Sequence, residues 1–233
     1  LSLLELKNVS QYKKDHEILY NITFSIQEYD MVGCLGPSGA GKTSLFRLIN
    51  MLDSPTKGEI LFRGKLLHNF NPILLRREIG YLIQRPRLFG NDVKDNLFYP
   101  YEIWGQKPDV HEIQCYLNAV GLDDDILSKD IKGLSGGEQQ RIGLVRLLLV
   151  KPKVLLLDEF TSALDEKTTR RVEDLVLSER TKRRLTVLFI THDTAQAKRL
   201  ADKVIHMENG SITYYGEAKQ YFSAYEERIT GNE

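Results

Sequence analysis

Residues 31–52 read MVGCLGPSGAGKTSLFRLINML, and the fold turns on how this stretch is parsed. The apolar run Met31, Val32, Cys34 and Leu35 predicts a buried strand. It breaks into Gly36-Pro37-Ser38-Gly39-Ala40-Gly41-Lys42-Thr43-Ser44. Leu45, Leu48, Ile49 and Leu52 then recur at helical spacing, so a helix is expected from near Gly41. Strand, glycine-rich turn and helix in that order make a phosphate cradle. Gly36, Gly39 and Gly41 free the backbone to bring N–H groups close to an anion, and the helix points its N-terminal dipole at the same place. Lys42 is placed to neutralise β- and γ-phosphate charge, and the Thr43 hydroxyl to ligate Mg2+. A turn that binds nothing is the plainer alternative, and the full match with both flanks weighs against it.

The bulk properties narrow the class. At 233 residues, 42% hydrophobic and 27% charged, the chain suits one large globular domain and excludes wholesale disorder. Lysine plus arginine equals aspartate plus glutamate at 32 each, so no net field draws it to nucleic acid. Cys34 and Cys115 have no metal-ligand spacing, and Cys34 is expected as a small apolar residue of the buried strand. The apolar stretch 142–157 is cut by Arg146, Lys151, Pro152 and Lys153, so no membrane span is expected. Residues 1–10 lack the charged start and long apolar core of a signal peptide. A cytoplasmic chain follows as the expectation, with any membrane work left to a partner.

Outward from the cradle, residues 3–9 alternate apolar and polar, as do Ile22, Phe24 and Ile26, which predicts an antiparallel β layer. Tyr12 lies between them, where an aromatic ring is placed to stack on a base; on its own it reads as an edge-strand surface residue. Residues 54–58 form a turn, 59–62 a short strand, and 80–84 an apolar strand ending on Gln84. From 85 to 133, Pro86, Gly90, Pro100, Gly105 and Pro108 punctuate amphipathic pieces such as 113–120, which predicts an inserted, mainly helical lobe. Leu134-Ser135-Gly136-Gly137-Glu138-Gln139-Gln140-Arg141 follows. Ser135 and Glu138 have capping-box spacing, so a helix is expected through about Leu149, with Gly136 and Gly137 leaving its start open to an anion.

Val154, Leu155, Leu156 and Leu157 then read as a strand covered on both faces, ending in Asp158-Glu159 at the end where open α/β sheets place ligands. Asp158 fits a magnesium ligand, and Glu159 a general base for an attacking water. Ser162-Ala163-Leu164-Asp165 precedes a helix to about Leu177. Residues 185–190 make another buried strand, followed by Thr191-His192-Asp193; His192 occupies the strand end equivalent to Glu159, within reach of a γ-phosphate. Asn209-Gly210 marks a hairpin between 203–207 and 211–215, and 217–233 reads as one helix.

GPSGAGKT, Gln84, LSGGEQQR, VLLLDE, SALD and His192, in that order, resemble the nucleotide-binding domain of ABC transporters over nearly the whole chain. The resemblance implies a P-loop NTPase (RecA-like) α/β core with an antiparallel β subdomain in 1–84 and 134–233, and an inserted helical subdomain in 85–133. It implies ATP and Mg2+ as ligands and ATP hydrolysis in a head-to-tail homodimer. Tyr12, residues 36–44, Gln84, Asp158, Glu159 and His192 would then serve one site, with Thr43, Gln84 and Asp158 around the metal. Ser135, Gly136, Gly137 and Glu138 of a second copy would close over the γ-phosphate, with Asp165 near the seam. An integral-membrane permease is the implied partner, holding the chain at the inner face of the membrane, with residues 85–105 facing it. Phe160 departs from the proline common in the family, and Gly143 and Val145 from its alanines. Glu159-Phe160-Thr161 and residues 88–100 resemble the FetA/YbbL-type ATPases linked to iron export and their plant aluminium-tolerance relatives.

Other classes stay in view. An importer ATPase for an amino acid, phosphate or similar solute shares these motifs, as does the ATPase of a non-transport envelope complex. Family members that act on DNA or ribosomes carry long insertions, zinc modules or tandem domains, whereas about fifty residues separate Gln84 from Leu134 here.

Overall fold

The chain's continuous apolar runs become the middle of a parallel sheet, and its alternating runs become an antiparallel one. The computed structural model describes residues 2–14 and 16–230, the last six as backbone only. Its strands are β1 (Ser2–Lys13), β2 (His16–Gln27), β3 (Met31–Leu35), β4 (Lys57–Phe62), β5 (Lys65–Leu66), β6 (Ile79–Leu82), β7 (Val154–Asp158), β8 (Thr186–Ile190), β9 (Lys203–Glu208) and β10 (Ser211–Glu217). Its α-helices are α1 (Lys42–Ile49), α2 (Pro72–Glu78), α3 (Val93–Glu102), α4 (Val110–Ala119), α5 (Gly136–Leu149), α6 (Glu166–Arg183), α7 (Thr194–Leu200) and α8 (Ala218–Thr230).

Four strands form an antiparallel sheet in the order β2-β1-β4-β5, and six form the main sheet in the order β10-β9-β3-β8-β7-β6. In the main sheet β6, β7, β8, β3 and β9 run parallel, and β10 returns antiparallel to β9. Asn209 and Gly210 take positive φ at the tip of that hairpin, as Asn-Gly turns require. On β7, Leu155 and Leu157 pack into one apolar cluster and Val154 and Leu156 into the other. Both faces of the strand are therefore covered, which is why its sequence does not alternate.

The first cluster gathers α5, α6, α3 and α4 against one face of the main sheet; the second holds α1 and the antiparallel sheet against the other. Phe160 is 1% exposed and meets Phe189 of β8 edge-on, centroids 6.3 Å apart. Phe160→Ala is expected to cost about 3–5 kcal/mol, read from urea unfolding.

Local departures have local causes. Leu52, assigned to the first helix face, is 40% exposed because the helix ends at Ile49 and Met51 turns the chain at φ 54°. Residues 74–78 are helical before the strand that ends at Leu82, since Asn71 caps α2 and Pro72 starts it. The last residues of the helix expected over 217–233 lie outside the described residues.

Candidate functional site

Buried β3 delivers the chain into the glycine-rich turn, and the sheet's geometry accounts for its glycines. Gly36 sits at φ 131°, where a Cβ would come within 2.0 Å of the Met207 carbonyl oxygen. Gly39 at φ 80° faces open space, the approach an anion needs. Gly41 is the left-handed N-cap of α1, with no side chain capping it, so the helix start presents free N–H groups. The Lys42 ammonium folds back to donate to the carbonyls of Gly36 (2.7 Å) and Pro37 (2.8 Å). Burial lowers its pKa, with the nearby acids Glu159 and Asp158 opposing the shift.

Parallel pairing brings the ends of β7 and β8 beside the cradle. The Thr43 hydroxyl donates to Oδ2 of Asp158 at 2.9 Å, and the Tyr81 hydroxyl donates to the same oxygen at 3.1 Å. Burial raises the Asp158 pKa, and these two hydrogen bonds pull it back. Glu159 takes φ 48° just past the C-terminal end of β7, its N–H held by the Ile190 carbonyl at 3.0 Å. Its carboxylate receives Nε2 of Gln84 at 2.6 Å and faces Nε2 of His192 at 3.0 Å. Residues 38–44, Gln84, Glu159 and His192 thus line one cavity of about 430 Å³, with Ile18 from β2 on its wall.

The donors around Asp158 suit a hard cation. Thr43 and Asp158 offer a hydroxyl and a carboxylate oxygen side by side, Gln84 holds its amide at Glu159, and among the described residues no cluster of three or more acidic, histidine or cysteine ligands exists. That set matches Mg2+, which takes one or two protein oxygens and completes its shell from phosphate and water.

The rest of the predicted site lies elsewhere on the surface. Tyr12 is 39% exposed at the end of β1, near Lys57, and does not line the cavity. Nor do Ser135 and Gly136, exposed at the start of α5, or Gly137 and Glu138, half-buried behind them. There Ser135 and Glu138 make the reciprocal capping box, the Glu138 carboxylate accepting from the Ser135 N–H at 2.7 Å. Nothing lies within 4 Å of a Cβ placed on Gly136, so that surface is open.

Lys129, through a 2.8 Å hydrogen bond, then Ser135, hold Glu138 down from 4.5 to about 2. A carboxylate whose pKa is depressed by folding stabilises the fold above its unfolded pKa, and that contribution disappears as pH falls through the folded value. Glu138→Ala is therefore expected to cost about 1 kcal/mol at pH 7. The gap in urea midpoint between variant and native protein should close as pH drops from about 4.5 to about 2.

Three polar residues at the site escaped the sequence reading: Tyr81, Gln140 and Gln196. In the sequence Tyr81 belongs to an apolar strand and Gln140 to the octet 134–141, and neither position signals its partner. Asp193, which caps α7, signals the helix that carries Gln196.

Known proteins resemble this chain in sequence and fold. The family model described as ABC transporter matches residues 19–162. The probable iron export ATP-binding protein FetA of Escherichia coli is 42% identical over 88% of this chain and 91% of its own length. A methionine import ATP-binding protein, MetN of Protochlamydia amoebophila, is 38% identical over 94% of this chain and 68% of its own. The solved ATP-binding cassette MJ0796, a dimer in a post-hydrolysis state with ADP and Pi, superposes with a TM-score of 0.83 at 26% identity, covering 92% of this chain and 98% of that one. The chain therefore belongs to the ABC transporter family, as an ATP-binding subunit that hydrolyses ATP.

Proposed function

We propose that the chain powers a membrane exporter of metal, with iron as the cargo, by hydrolysing ATP in a head-to-tail homodimer. The reading rests on one observation above the others: the likeness to FetA runs through nearly the full length of both chains. Among the described residues no helix is long and apolar enough to cross a membrane, and the proposed partner is an integral-membrane permease. A groove of about 400 Å³ between Tyr81, Ile83, Pro86, Phe89, Tyr99 and Ile103 suits a permease helix, since it is mostly apolar and open. The proposed cellular place is the inner face of the membrane, through that contact.

In this account Lys42 exchanges its own loop's carbonyls for the β- and γ-phosphates, and the turn 36–41 offers its N–H groups to them. Thr43, Asp158 and Gln84 would hold Mg2+, which when bound neutralises phosphate charge. Glu159 accepts the proton of the attacking water, and His192 holds that carboxylate and the γ-phosphate in register. Tyr12 stacks on the base. The partner subunit's Ser135, with residues 136–138 of that copy, supplies the lid.

An importer is the second reading, favoured by the likeness to MetN. The deciding experiment purifies the chain with its membrane partner and reconstitutes both in inside-out vesicles. ATP-dependent uptake of iron supports the proposal; ATP-dependent release of a loaded amino acid, with no iron movement, overturns it.

A further inference from the structure

Glu159 stands in the left-handed region at φ 48°, a conformation that a glutamate keeps only where its surroundings impose it. Within the turn, the Ser162 N–H donates to the Glu159 carbonyl at 3.1 Å and the Leu164 N–H to the Thr161 carbonyl at 3.1 Å. Two glutamines, each 2% exposed, reach this turn from different helices. Gln140 of α5 donates from Nε2 to the Glu159 carbonyl at 2.8 Å and accepts the Ala163 N–H on Oε1 at 3.2 Å. The backbone N–H can only donate and the carbonyl only accept, so the amide has one orientation that satisfies both. Gln196 of α7 donates from Nε2 to the Thr161 hydroxyl at 2.9 Å and to Glu173 Oε1 at 3.0 Å. Glu173, itself 3% exposed, is fixed by Arg199 at 2.8 Å and by Arg170 at 3.5 Å.

Burying an amide is costly unless its groups are paired, and both amides find partners in the short turn that carries the proposed base. The next residue on α5 extends the connection. Arg141 Nη1 donates to the carbonyls of Val120 (3.0 Å) and Gly121 (2.8 Å), in the loop after α4. One turn of one helix thus grips the helical region through Arg141 and the turn of Glu159 through Gln140, while α7 grips the same turn behind His192.

We propose that Gln140 and Gln196 are positioning residues for hydrolysis, which set the Glu159 carboxylate by clamping residues 159–163 between α5 and α7. The inference rests on the reading of Glu159 as the general base. Misplacing a reacting group by about 1 Å costs roughly a hundred-fold in rate, so loosening the turn has a measurable effect on turnover without touching nucleotide contacts.

The test uses Gln140→Met, which keeps the length of the side chain and removes both hydrogen bonds, alone and combined with Glu159→Gln in the full chain. Turnover (kcat), KM and nucleotide affinity are measured for each. The expected result is a fall in kcat of roughly ten- to a hundred-fold in the native background, with nucleotide affinity kept, and little further fall in the Glu159→Gln background. Gln196→Met, on another helix, should show the same non-additivity, and it decides the matter if Gln140→Met fails to fold. An equal fold-loss in both backgrounds, or a loss of kcat explained by lost nucleotide affinity, overturns the proposal. If Glu159→Gln leaves turnover intact, the base assignment has failed. If Glu159→Gln lowers turnover and neither glutamine variant does, the positioning role alone has failed.

Discussion

Glu159→Gln is expected to lower ATP turnover by roughly a hundred- to ten-thousand-fold, the range over which a positioned general base accelerates a reaction, while nucleotide affinity stays within a few-fold of native. The amide keeps the shape of the carboxylate but cannot take a proton from water. Its place in the fold should survive, because the turn is fixed by backbone: the Glu159 N–H is held by Ile190 and the carbonyl by Gln140. Of the side-chain contacts, the Gln84 amide at 2.6 Å and His192 at 3.0 Å meet the two different carboxylate oxygens, so the substitution disturbs one of them. A single-turnover assay with separately measured binding distinguishes the loss of the base from loss of the site. Native-like turnover in this variant would remove Glu159 from the mechanism.

Lys42→Ala is expected to weaken nucleotide binding by roughly ten- to ten-thousand-fold, from the loss of one or two charge-assisted hydrogen bonds worth about 1.5–3 kcal/mol each. Its ammonium is bonded to the Gly36 and Pro37 carbonyls of its own loop, and those contacts keep the cation over the cradle. The variant should remain folded, with a cooperative thermal transition, since β3 beneath the loop is buried by apolar packing that the lysine does not supply. Titration with a fluorescent nucleotide gives the answer. Unchanged affinity would place the phosphates somewhere other than residues 36–44.

The cradle and the strands that feed it are readable from sequence because their determinants are local. Residues 36–44 combine glycines at left-handed positions with a lysine and hydroxyls in fixed order, and residues 154–157 and 187–190 are apolar because both faces of their strands are covered. Short α2 escaped because only Leu75 is buried, while Ile73 and Leu74 are 67% and 55% exposed, so no amphipathic stripe exists. Tyr81, Gln140 and Gln196 escaped for a different reason. A polar side chain carries no period, and its role is set by the group that tertiary pairing places opposite it: Asp158, the Glu159 carbonyl and the Thr161 hydroxyl, respectively. Tyr12 stands apart from them, exposed near the end of β1 and away from the residues that line the cavity.

The residues of the site also divide in space. Lys42, Thr43, Asp158, Glu159, Gln84 and His192 converge within one chain, whereas Ser135 and Gly136 face solvent at the start of α5. An N-capped helix start open to solvent at Gly136 is what a lid for another copy requires. The proposed dimer therefore predicts that a change at Ser135 acts on closure and not on binding. The most direct measurement is the mass in solution of the Glu159→Gln protein with ATP and Mg2+, compared with Glu159→Gln carrying Ser135→Arg as well. The shared-site account predicts an ATP-bound dimer for the first, and for the second a monomer that binds ATP with native affinity. A double variant that still dimerises around ATP, or that loses ATP binding as a monomer, would contradict it.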